Sequence, residues 1–146
     1  MMEPWEVAAR EEIRDLVARY NANGDTGRVA QVLELFAPDA VMELGDPGSS
    51  TFHRGHDEIK LIFTGAQERW TAEATERSAA PYVRHSVTTH QVDFVDHEHA
   101  KGRCYFSVIM AHGLDHWGRY IDEYAVVDGR WRFVHRNVRT DGRHDD

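Results

Sequence analysis

The sequence predicts an α+β domain, and three observations carry that prediction. The first half holds three stretches with apolar residues at three- and four-residue spacing, and the second half holds four runs rich in β-branched and aromatic residues. The last two runs are joined by Asp128-Gly129, a strong two-residue hairpin signal, so they pair antiparallel. Three helices covering one face of a strongly curved antiparallel or mixed sheet is the plan that follows.

The first helix is expected over Pro4 to Tyr20, where Ala9, Ile13, Leu16, Val17 and Tyr20 share a face. Asn21 to Asp25 stops it, and Asp25 stands where a following helix would start. That second helix reads Gly27 to Phe36, with Val29, Val32, Leu33 and Phe36 inward, until Pro38-Asp39 breaks it. Short strands are expected at Ala40 to Leu44 and Thr51 to Arg54, on either side of the Gly45 to Gly48 turn. Gly55 to Trp70 gives the third helical pattern, through Ile59, Ile62, Phe63, Ala66 and Trp70. Thr71 to Ala80 is small and polar with no period, and reads as the loosest segment, placed to act as a flap.

The four strand runs are 82–95, 100–112, 118–127 and 130–138, with turns expected at Asp96 to His99, Gly113 to His116 and Asp128-Gly129. The first run carries an ionisable ring, His85, among strand residues. Strict alternation puts His85 with Val83, Val87 and Thr89, but Val92 and Phe94 then fall on the opposite face. A bulge or sharp bend between about Thr88 and Gln91 is therefore expected, a device that curls a sheet. In the next run Cys104, Phe106, Val108 and Met110 alternate onto one face, as a pocket wall or as ordinary core. In the last run Arg132 and Arg136 share one face, Phe133 and His135 the other.

At 146 residues the chain fits a single domain, 1–146, large enough for a core with a cavity in it. A formal net charge of −8 disfavours nucleic acid as a partner. The lone Cys104 permits no intrachain disulfide, and MMEPWEVAAREEIRD has no apolar stretch of the signal-peptide kind, so a cytoplasmic location is the expectation. No apolar run approaches the roughly 18 residues of a membrane span, and mean hydropathy is −0.60. Ten histidines invite a metal, but none of their spacings forms a ligand signature such as HExxH. His97, His99, His112, His116 and His144 read as solvated loop histidines. With no phosphate-binding Gly-rich loop either, no metal and no cofactor is expected.

Several motifs together resemble one family. They are Ile13-x-x-Leu16-x-x-x-Tyr20-x-x-x-x-Asp25, Phe36-Ala-Pro-Asp39-Ala40-Val41, Gly55-x-x-x-Ile59, the strand around His85, Gly118-x-Tyr120-x-Asp122 and Asp128-Gly129-x-Trp131-x-Phe133-x-x-Arg136. In this order, over about residues 9–139, they resemble the SnoaL-like branch of the NTF2-like α+β cone fold. The resemblance implies a bent sheet wrapped around a helix, a conical apolar pocket, and homodimerisation through the outer face of the sheet. In dehydratase and dehydrochlorinase relatives a His on the third strand works with an Asp just after the first helix, often with a Tyr from that helix. His85, Asp25 and Tyr20 match those positions. The residue four beyond the His is often Asn in relatives and is Thr89 here, and an Arg near Arg136 sometimes reaches the pocket.

The chemistry implied is proton abstraction by His85, with Asp25 fixing its tautomer and Tyr20 donating to a substrate oxygen that gains charge. Phe63, Phe106, Val108, Met110 and Arg136 are the candidate substrate contacts. Plainer roles stay open for each catalytic candidate: Asp25 as a helix N-cap, His85 on the outer sheet face, Tyr20 as core. The function expected is a cofactor-independent lyase or isomerase acting on a small hydrophobic, steroid-like or polyketide-like ring compound. The alternative is a non-catalytic binding or assembly module resembling the small subunit of a ring-hydroxylating dioxygenase.

Overall fold

The computed structural model describes residues 1–77 and 82–145, with the backbone alone for 70–77. Helix α1 (Pro4–Gly24) opens with Pro at its first position, where a missing N–H costs nothing, and the Glu6 carboxylate accepts the Glu3 N–H at 3.2 Å. The expected apolar stripe is the buried one, from Ala9 through Tyr20.

Helix α2 is only Val29–Leu33, shorter than the Gly27 to Phe36 expected. Phe36 instead starts strand β1 (Phe36–Leu44), which pairs parallel with the last strand, and the Phe133 N–H donates to the Leu35 carbonyl at 2.9 Å. Tertiary pairing overrides a helical pattern that had few turns to defend it. Pro38 is tolerated within β1 because the register slips between Phe36 and Val41, so no ladder bond is asked of it.

Strand β2 (Thr51–Arg54) leads into α3 (Gly55–Arg77). Thr71 to Arg77, expected to be loose, continue this helix; the remainder of the supposed flap, through Ala80, lies outside the described residues. Strands β3 (Val83–Phe94), β4 (His99–Met110), β5 (Gly113–Val127) and β6 (Arg130–Arg143) complete a six-stranded mixed sheet in the order β2-β1-β6-β5-β4-β3. Gly113 to His116, expected as a turn, belong to β5. The turn is the preceding pair Ala111-His112, and Gly113 follows it at φ 110°, a conformation that favours glycine.

Of the register shifts in this sheet, three redirect residues that bear on the site. The register of β3 on β4 shifts between Thr88 and Gln91, with Thr89 at φ 53°, the bend expected from the switch of buried face. On β5, Leu114 faces Ile109 and His116 faces Val108, which leaves Asp115 as an extra residue. On β6, Phe133 faces Tyr124 and His135 faces Glu123, which leaves Val134 extra. That last bulge corrects the face assigned to Arg136. Instead of lying opposite Phe133, Arg136 shares its buried side, while His135 turns away to bond Glu43 at 3.0 Å.

The core is accordingly aromatic around one cation. Arg136 is fully buried, its guanidinium donates to both Asp122 oxygens at 2.8 and 2.9 Å, and it lies 3.8–4.3 Å from the ring centres of Tyr120, Tyr20 and Phe133. Bidentate pairing through Nε and Nη2 and three π faces replace much of the water that a buried guanidinium gives up, while Nη1 is left without a hydrogen-bond partner. Among the described residues no helix is long and apolar enough to cross a membrane.

Candidate active site

Asp25 ends α1, its N–H bonded to the Asn21 carbonyl at 2.8 Å, and its carboxylate crosses to β3. Because β3 is an edge strand, alternate N–H groups on it have no ladder partner, and the His85 N–H is filled by Asp25 Oδ2 at 2.9 Å. Asp25 Oδ1 lies 2.5 Å from His85 Nδ1. A carboxylate only accepts, so Nδ1 carries the hydrogen, and in the neutral ring the Nε2 lone pair points away from Asp25. Two plainer readings are thereby overturned. Asp25 does not cap α2, whose N-cap is Arg28, and His85 faces inward, on the wall of a cavity.

That cavity encloses about 670 Å³ between α1, α2, α3 and the concave face of the sheet. Phe63, Phe106 and Met110, three of the candidate substrate contacts, line it. Val108 is not among its lining residues: it is fully buried on β4 between its register partners His85 and His116. Arg136 is also absent from the wall, a correction to its expected reach, because its guanidinium is spent on Asp122 and the surrounding rings. Tyr20 reaches the wall while its ring packs edge-on against Phe36, Phe63, Tyr120 and Phe133. Burial pushes its phenol up to about 12, so at neutral pH it is a hydrogen-bond donor and not a base.

Sequence reasoning missed a second polar group. His112, Asp115 and His116 all line the cavity, although they read as loop residues. Consecutive strand residues normally point to opposite faces, but the bulge at Asp115 lets its carboxylate meet its neighbour: Oδ2 lies 2.6 Å from His116 Nδ1, and Oδ1 lies 3.0 Å from His112 Nε2. Hydrogen bonding from His116, and then the charges of both histidines, hold the Asp115 carboxyl below its usual range. The His116 and His85 rings stand 6.3 Å apart at 85°, one strand removed from each other. Only the Gly113 turn signal, shifted by two residues, could have exposed this group. Among the described residues no set of three or more His, Cys, Asp or Glu is placed to hold a metal ion.

A family model for the SnoaL-like domain matches residues 5–137. The chain belongs to the SnoaL-like family. Solved structures with the same fold include a candidate scytalone dehydratase from Novosphingobium aromaticivorans, with 21% identity, TM-score 0.78, and coverage of 99% of this chain and 92% of that one. Hexachlorocyclohexane dehydrochlorinase LinA-type3 from Novosphingobium barchaimii matches with 19% identity, TM-score 0.75, and coverage of 96% and 91%. A beta subunit of a candidate aromatic-ring-hydroxylating dioxygenase from N. aromaticivorans matches with 18% identity, TM-score 0.74, and coverage of 99% and 95%. No curated protein matches the chain. At such identities the SnoaL-like protein shares with these structures its α+β cone, and its chemistry must be argued from its own residues.

Proposed function

We propose that this SnoaL-like protein is a cofactor-independent lyase or isomerase of the dehydratase type, acting on a hydrophobic cyclic carbonyl compound or alcohol. The observation that carries the reading is the His85–Asp25 pair, with Nδ1 tied to the carboxylate at 2.5 Å and the ring on the wall of a largely apolar cavity. Nε2 of His85 takes a proton from a carbon next to the substrate carbonyl. The electron pair of that C–H bond moves into the new double bond, and Asp25 steadies the imidazolium that results. The Tyr20 phenol donates to the carbonyl oxygen as negative charge grows there. In an isomerisation His85 returns the proton to another carbon. In a dehydration the departing hydroxyl needs a proton, and His116, supported by Asp115, stands 6.3 Å from His85 to supply it, so that water leaves.

A cavity with ionisable pairs on its wall favours this reading over a non-catalytic assembly subunit, for which such pairs have no use. The outer faces of β4 and β5 expose Tyr105 and Trp117, which supports homodimerisation through the sheet. The test is turnover of a panel of cyclic β-hydroxyketones followed by mass spectrometry. Loss of water catalysed by the wild type and not by His85→Ala supports the proposal; no turnover across the panel, or equal turnover by the variant, counts against it.

A further inference from the structure

The cavity mouth carries a charge pattern that an apolar ring alone does not explain. Arg28 just ahead of α2, Arg69 on α3 and Arg143 at the end of β6 all line it, and all three are exposed. They come from three separate elements, so local sequence does not account for their presence on one cavity. Among the described residues no carboxylate lies within ion-pair distance of any of them: the ion pairs among these residues involve Arg19, Arg119, Arg136 and five histidines. The only carboxylates among the described lining residues, Asp25 and Asp115, are engaged by His85 and by His112 and His116. Acidic residues outnumber basic ones by 25 to 17 in the whole chain, so three exposed arginines free of acids on one cavity run against the general charge balance.

From this we infer that the substrate is an organic anion, an apolar ring bearing a carboxylate, whose ring enters toward His85 while the carboxylate stays at the mouth among Arg28, Arg69 and Arg143. Guanidinium groups offer paired donors that match a planar carboxylate, and a half-solvated mouth spares the anion full desolvation. The apolar wall around Phe63, Phe106 and Met110 then receives only the part of the molecule that benefits from leaving water. The inference rests on the reading of this cavity as a substrate site.

The test is calorimetric titration of the full chain with 2-naphthoate and with its uncharged counterpart 2-naphthamide. Naphthoate is expected to bind about tenfold more tightly at low ionic strength, with the ratio shrinking toward one in about 0.5 M salt. In the triple variant Arg28→Gln, Arg69→Gln, Arg143→Gln the ratio is expected near one even at low salt, with the fold checked by circular dichroism. Equal affinity for the two probes, a preference for the amide, an unchanged ratio in the triple variant, or no binding of either overturns the inference. His85→Ala separates the two proposals. Anion preference kept by that variant while turnover is lost supports both, whereas turnover of neutral ketones by the wild type without anion preference overturns this inference and leaves the lyase reading in place.

Discussion

Asp25 holds His85 at two points, the ring nitrogen and the backbone N–H, across 60 residues of sequence. One carboxylate therefore both orients the imidazole and closes an open position on the edge strand. Asp25→Ala is expected to lower activity about 10²- to 10⁴-fold and also to cost about 1–3 kcal/mol of stability, since a part-buried N–H is left without a partner. Asp25→Asn retains one acceptor and should be less destabilised, with activity lost to a similar degree. Kinetics alongside urea melts separate the two effects.

The Arg136–Asp122 pair is the polar centre of the core. Asp122→Asn leaves a fully buried guanidinium without its counter-charge and is expected to cost about 3–5 kcal/mol. Pairing it with Arg136→Met should recover much of that loss, because the cation is removed together with its partner. A double-mutant cycle by chemical denaturation measures the coupling.

Thr89 sits in the β3 bulge at φ 53°, a conformation that is poor for a β-branched residue and tolerated by Asn. Thr89→Asn is expected to raise stability by up to about 1 kcal/mol, with the sheet register unchanged.

Alkaline pH should destabilise the fold in a defined window. Burial raises Cys104 from 9.0 and Tyr20 from 10.0, each to about 12, so the folded chain holds both protons more tightly than the unfolded one. This stabilisation is complete below about pH 9 and is lost as pH rises from there toward about 12. Denaturation midpoints should fall across that interval. In the native protein the Cys104 thiol should resist alkylation at about pH 8 and react readily once unfolded.

Much of the fold was legible in the sequence because it rests on local periodicity. The stripe from Ala9 to Tyr20 is the buried face of α1, and the change of face along Val83 to Phe94 located a bend that the backbone makes at Thr89. What escaped depends on partners distant in sequence. Phe36 gave up a helical pattern to pair with β6, and single-residue bulges at Val134 and Asp115 redirected Arg136 and brought Asp115 onto His116. An extra residue in a strand leaves no mark in composition, yet it inverts every assignment of faces beyond it. At the site, His85, Asp25 and Tyr20 were found as candidates because they match a family pattern. The His112, Asp115 and His116 group matched no pattern, and only the folded chain brings it to the cavity.

The central claim is that His85, held by Asp25, removes a proton from carbon in this cavity. It is tested most directly by deuterium incorporation from D₂O next to the carbonyl of a bound cyclic ketone such as 1-tetralone, followed by NMR. The account predicts exchange well above the buffer rate with wild-type protein, reduced about 10²-fold or more in His85→Ala. Exchange at the buffer rate with the wild type, or at an undiminished rate with His85→Ala, would contradict it.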